Sequence, residues 1–380
     1  TVMDFSISAE QLARKQAAID FAQRDLNPDD MVRHDLEGVF SHEIWRKCAD
    51  YGLLGLAVDE KYGGSNEDLL TTMLVMEGSG DGCRDNGLPF ALNSKMWSVQ
   101  AALDTFGSEF QKQKYLCPLV KGEMLGAFGM TEPDTGSDAY SLKATAKKVD
   151  GGYVLNGRKF LITLAPVCDM AIIFANVDHS LGRWGVSTFI VDRTMPGFST
   201  SPVRQKMGLR TVPAGDLILE DCFVPDENRM GDEGVGVSVF NHSMEWERAL
   251  ILISQIGRME RQLDETIAYA NEREQGGSPI AAYQSVSNRI VDMKVRLEAA
   301  RLMLYKVAWL TANGQPSVME AAMAKLFLSE AFTESSLDAI RVRGGRGFLT
   351  EFEVERDLRD SVGGLIYSGT SDIQRNLIAR

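Results

Sequence analysis

Hydrophobic and polar positions along this chain of 380 residues follow two different periods. Up to about residue 125 the spacing is helical. Ser8 and Gln11 stand at capping-box spacing, and Leu12, Ala17, Ile19, Phe21 and Ala22 then mark one apolar face. A second helix is predicted over Glu43 to Asp50, ending near Gly52, and a third from Asp68 to Glu77, with a turn at Lys61 to Gly64 between them. Phe110, Tyr115 and Leu116 predict a short helix stopped by Pro118. From 126 to about 235 the period drops to two. Ala144 to Val149 alternates, Asp150 to Gly152 turns, and Tyr153 to Thr163 continues as the second strand of a pair. Met170 to Ala175, Val186 to Val191 and Leu217 to Phe223 complete a set that predicts a small antiparallel barrel or sandwich. After 235 the helical period returns over roughly 236–271, 282–312, 317–340 and 369–380. Ser317 and Glu320 again stand at capping-box spacing. Long helices with short connections predict a bundle. The expected order is therefore a helical domain at 1–125, a β domain at 126–235 and a helical bundle at 236–380.

Composition narrows the function classes. A net charge of −13 argues against a nucleic-acid partner, which needs basic surface. Cys48, Cys83, Cys117, Cys168 and Cys222 have neither metal nor redox spacing and are expected to be free thiols. His34, His42, His179 and His242 are dispersed, so no metal site is expected. No stretch is long and apolar enough to span a bilayer and no signal-peptide pattern opens the sequence, so a soluble cytoplasmic protein is expected. No G-x-G-x-x-G follows a strand, which disfavours a Rossmann unit.

The stretch Met130-Thr-Glu-Pro-Asp-Thr-Gly-Ser-Asp-Ala-Tyr140 joins the first helical region to the strands. Pro133 and Gly136 break regular structure, while Thr131, Thr135 and Ser137 set short hydroxyls beside free backbone N–H groups, suited to a polar cofactor edge or an anion. T-E-P-x-x-G-S-D closely resembles the signature of the acyl-CoA dehydrogenases, flavoenzymes that oxidise a thioester across its α and β carbons. Helices, β domain and four-helix bundle match that family's plan. The resemblance implies FAD as cofactor, with Phe128, Met130, Thr131, Gly136 and Ser137 at flavin-contact positions. Thr163 fits a second contact, while Leu161 stands where tryptophan is usual and is either a flavin neighbour or a core leucine. Arg273 and Gln284 occupy positions that hold the adenine end of the flavin of a neighbouring subunit. Arg341, Gly344 and Gly345 match the pyrophosphate side, and Thr370 and Asp372 complete the cofactor set. A homo-oligomer, and specifically a tetramer, is implied.

At the base the chain departs from the family. Most members carry glutamate directly before G-T-S, and here Ser368 precedes Gly369-Thr-Ser. A serine has no carboxylate with which to take an α-proton. A minority of the family, isovaleryl-type enzymes among them, places its base on a bundle helix, and Glu247 of Glu245-Trp-Glu-Arg248 matches that position. Glu245, two residues away, lies about 200° around the helix and must face elsewhere. The resemblance implies Glu247 as base, the Ser368 backbone as an oxyanion contact, and Ser137, Arg248 and Gly369 near the substrate. Arg248 reads more readily as an ion-pair partner than as a catalyst.

Trp246-Glu-Arg248, Gly344-Gly-Arg-Gly347, Ser368 to Asp372, Met207 to Asp216 and Met259 to Leu263 resemble the L-prolyl-[peptidyl-carrier protein] dehydrogenases. That likeness implies an aminoacyl thioester on a carrier protein as substrate, with an electron-transfer flavoprotein or oxygen as electron acceptor. A short or branched acyl-CoA dehydrogenase, or a flavin-binding protein without turnover, is the alternative.

Overall fold

The computed structural model describes residues 6–380, in the order helices, sheet, helices. The first helix, Ala9–Asp25, starts at the expected capping box, in which the Ser8 hydroxyl accepts from the Gln11 N–H and the Gln11 side chain accepts from the Ser8 N–H. It packs on helix Leu69–Gly82, which in turn packs on bundle helix Ile253–Glu272. Backbones meet there with nothing between them: a Cβ on Gly80 would lie 1.9 Å from the Ser254 carbonyl oxygen, and one on Gly257 1.9 Å from that of Glu77. Only glycine allows such an approach. Buried Glu77 ties the layers together by accepting from Lys15, Arg301 and Tyr305.

Two expectations about breaks are corrected. Pro118 does not stop its helix. The chain widens into a π turn over Lys112–Leu116 and continues through Cys117–Val120, because the wide turn removes the carbonyl clash that a proline ring makes in a regular helix. The predicted 236–271 helix is instead two, Gly236–Leu250 and Ile253–Glu272, broken at Ile251 and Leu252. Ser317 precedes helix Val318–Arg343 as foreseen, yet forms no capping box. Its hydroxyl meets that of Thr311, and Glu320 pairs with Lys306.

The middle region is one curled seven-stranded sheet. Its strands are β1 (Gly126–Gly129), β2 (Thr145–Val149), β3 (Gly152–Thr163), β4 (Met170–Asn176), β5 (Val186–Asp192), β6 (Phe198–Thr200) and β7 (Ala214–Pro225). The pairs β2–β3, β3–β7, β6–β7 and β4–β5 are antiparallel, as alternation predicts. The joins β1–β4 and β2–β4 are parallel, so the sheet is mixed. Strand β4 is buried at all seven positions and pairs with three neighbours, which explains its unbroken apolar run. Four of the five free cysteines are buried, and Cys117 is half-buried.

Candidate active site

The Met130–Tyr140 loop is pinned from beneath by a residue that sequence reasoning passed over. Glu132 is buried and accepts from the Lys159 ammonium at 2.8 Å and from the Lys143 and Ala144 amides at 2.6 and 3.0 Å. Lys159, fully buried on β3, is pulled down to about 8 by burial, partly offset by Glu132. It also donates to the Met130 carbonyl, while the Thr131 carbonyl accepts from Phe160. With these contacts satisfied below, Gly136 and Ser137 stand exposed above. Phe128, on β1, is half-buried against Phe174 and Phe240, the latter on helix Gly236–Leu250. That contact joins the sheet to the helix carrying Glu247.

Leu161 is not a core leucine. A register shift between Lys159 and Ile162 throws it out of the ladder at φ +57°, and its side chain is 59% exposed. A branched residue in that backbone region is strained, and an exposed position gains no core packing in return. Thr163, two residues on, closes β3 against Ala214.

Glu247 lies on helix Gly236–Leu250, whose rotation is fixed by Trp246 stacking on Trp97 with ring centroids 5.9 Å apart. Its Oε1 accepts from the Ser368 hydroxyl at 2.5 Å. Two positions separated by 121 residues, the expected base and the position most of the family uses, are thus in direct contact. Burial pushes the Glu247 carboxyl up to about 7, and the Ser368 hydrogen bond, Arg248 and Lys325 each pull it part of the way back. The Glu247 carboxyl is deep in the protein, while the residue as a whole keeps some accessible surface. Glu245 is exposed, as the helical angle requires. Burial lowers the Arg248 guanidinium, and its buried Nε has no protein partner among the described residues. It is therefore no satisfied structural ion pair.

Ser368 and Gly369 both have positive φ, +53° and +85°. A Cβ on Gly369 would come within 2.6 Å of the Gln374 side-chain nitrogen. The Thr370 hydroxyl caps helix Ser371–Ile378 by accepting from Ile373, and Asp372 sits in its first turn, exposed and paired with Arg375.

The remaining cofactor positions gather elsewhere. Arg273 ends helix Ile253–Glu272, Gln284 opens helix Gln284–Ala312, and Arg341 precedes the Gly344–Gly345 turn that ends helix Val318–Arg343. A small core of Ala270, Ile280 and Val342 holds these three ends together. Arg341 pairs with Asp338, and a Cβ on Gly344 or Gly345 would meet nothing within 4 Å. The 20-residue helix separating Arg273 from the Glu247 segment is about 30 Å long at 1.5 Å per residue. The positions expected to hold the adenine end of a flavin and the expected base therefore lie at opposite ends of the bundle.

Three known family domains match: acyl-CoA dehydrogenase N-terminal, middle and C-terminal domains over residues 8–123, 127–222 and 234–380. The chain is 40% identical over 378 residues to an L-prolyl-[peptidyl-carrier protein] dehydrogenase of Serratia sp., covering 100% of this chain and 98% of that protein. The Pseudomonas fluorescens protein of the same description is 42% identical over 342 residues, 90% of each chain. Among solved structures, the prolyl acyl carrier protein oxidase AnaB superposes with a TM-score of 0.96 at 45% identity, covering 98% of this chain and 99% of that one. PigA with FAD and proline gives a TM-score of 0.96 at 40% identity, covering 100% and 98%. Matched along its length and in the order of its parts, this chain belongs to the acyl-CoA dehydrogenase family.

Proposed function

We propose that this protein is an FAD-dependent dehydrogenase of an acyl thioester, and that its substrate is a prolyl group carried on a peptidyl carrier protein. The observation that carries the reading is the Glu247–Ser368 contact, which presents one carboxyl, raised to about 7, where the usual base is absent. The relatives named for prolyl-carrier chemistry supply the substrate class.

The residues present fit a flavin. The exposed Gly136–Ser137 backbone and exposed Leu161 would border the ring system. Arg273, Gln284, Arg341, Gly344 and Gly345 would border the diphosphate and adenine of a neighbouring subunit's FAD. Arg273 makes no ion pair among the described residues, and both glycines are open to close backbone approach. When bound, FAD supplies the two-electron acceptor for the β-hydride.

The chain's own residues handle the proton. A carboxyl near 7 is ionised in useful fraction at neutral pH and is basic enough to take an α-proton acidified by its thioester carbonyl. The Ser368 hydroxyl orients that carboxylate by donating to one oxygen, leaving the other for the substrate. Neither Ser368 nor Gly369 donates its amide to a backbone carbonyl among the described residues, so both N–H groups are available to a developing oxyanion. Serine at 368 also leaves room for a compact ring. Loss of two hydrogens across Cα–Cβ gives the enamine, and loss of two more gives the aromatic pyrrole.

The split of the cofactor residues between two ends of the bundle supports a homo-oligomer, and the family resemblance supports a tetramer. Exposed Val291, Val295 and Leu302 on helix Gln284–Ala312 offer apolar surface for that assembly. Oxygen or an electron-transfer flavoprotein would take the electrons, and the setting would be cytoplasmic.

The test offers prolyl-loaded carrier protein and isovaleryl-CoA in parallel, read by intact mass and flavin absorbance. Loss of two or four hydrogens on the prolyl arm, with no flavin bleaching by the CoA ester, is expected. Rapid bleaching by isovaleryl-CoA beside an inert prolyl arm would overturn the substrate choice. Light scattering of the FAD-bound protein should give four chains, and a monomer with tightly held FAD would overturn the shared cofactor site.

A further inference from the structure

Lys325 is buried in the first half of helix Val318–Arg343, on a stretch where Ala321, Ala322, Ala324 and Leu328 are buried as well. No carboxylate forms an ion pair with it among the described residues. Its ammonium donates to the Gly364 carbonyl at 2.6 Å and to the Gly369 carbonyl at 2.8 Å, bridging both ends of the turn that carries Ser368. Gln374 donates to the Ser368 and Gly369 carbonyls at 3.2 and 2.9 Å from the other side. With its carbonyls drawn inward, this strained turn directs the Ser368 hydroxyl onto Glu247.

We propose that Lys325 is a positioning residue that acts through Glu247: it fixes the Ser368 turn and, by its charge, sets the pH at which the Glu247 carboxyl ionises. The proposal rests on Glu247 being the base argued above.

The groups facing this pair are few. From the Glu247 helix come Glu247 itself and Arg248. From the turn come Ser368 and the Tyr367 ring, whose centroid is 5.9 Å from the ammonium, and Glu330 lies on the lysine's own helix. Burial and Arg248 lower Lys325 to about 8, while Glu247 and Glu330 act to raise it. Its charge is therefore present where Glu247 titrates, and it favours the carboxylate.

The test follows Glu247 directly in ligand-free protein, by infrared difference spectra against Glu247→Gln across pH. Lys325→Gln keeps a donor without charge, Lys325→Arg keeps both, and Lys325→Met keeps neither. The neutral variants should ionise Glu247 about one pH unit higher, with Lys325→Arg close to wild type. Amide exchange over residues 365–374 should quicken in Lys325→Met and recover in Lys325→Arg. A titration unchanged in Lys325→Gln, or shifted equally in Lys325→Arg, would overturn the proposal. The Gln and Arg variants decide it should the Met variant not fold. Because the readout needs no substrate, failure of the prolyl thioester to react would refute the proposed function while leaving this measurement to stand by itself.

Discussion

The two ends of the bundle make opposite use of their chain. At one end the Ser368 hydroxyl donates to Glu247 while Lys325 and Gln374 hold the carbonyls of the Ser368 turn, so the proposed proton-handling site lies within a single subunit. At the other end, Arg273 and the open backbone of Gly344 and Gly345 face outward with little to hold. On the proposed function, the difference teaches that preorganisation is concentrated where a proton would move, while the cofactor's anionic end would be completed by assembly.

The comparison breaks most visibly at Glu247. Glu247→Gln should keep FAD and fold but slow flavin reduction by substrate about 10²- to 10⁴-fold, measured by stopped-flow absorbance. If the loss is mild, the enclosed end is not the proton-handling end.

The same variant has a stability signature of opposite sign. Because the folded-state carboxyl titrates near 7, above its ordinary 4.5, folding favours its protonated form. That contribution is fully present below pH 4.5 and is lost as pH rises through 7. Glu247→Gln escapes the loss and should be more stable than wild type by roughly 2–3 kcal/mol at pH 8, with no difference at pH 4. Denaturant melts at the two pH values decide it.

At the open end, Arg273→Ala should weaken FAD retention about tenfold while leaving the reduction rate of FAD-saturated enzyme unchanged. A fall in that rate instead would mean the two ends are coupled. Smallest of all, Glu245→Gln should alter turnover less than about twofold, since its side chain faces solvent.

Much of this was legible in the sequence, and the remainder was hidden for physical reasons. The switch of period located the sheet, and the angle between positions 245 and 247 required the two glutamates to face apart. The missing carboxylate at 368 pointed to Glu247 only through the family motif, because two glutamates separated by one residue on a helix carry no mark of burial. Glu132 and Lys159 carry no such mark either, and their pairing across 27 residues depends on how β3 meets the loop. Lys325 did carry a signal: a lone lysine inside Ala321-Ala-Met-Ala-Lys-Leu-Phe-Leu328 cannot reach water easily from a buried face. Leu161 was ambiguous because a register shift, invisible to alternation, reverses which side of a strand faces out.

The break at Ile251 and Leu252 frees the two helices from sharing one rotational phase. Ile253–Glu272 is keyed to its neighbour by the glycine contacts at Gly80 and Gly257, which tolerate no rotation. Gly236–Leu250 is keyed separately, by Trp246 against Trp97 and by Glu247 against Ser368. In an unbroken helix, moving a base by one position would turn it 100° and drag every downstream contact with it. With the joint in place, the upstream segment can be re-indexed alone. A lineage could thus move its base between loop and helix without rebuilding the scaffold beneath it.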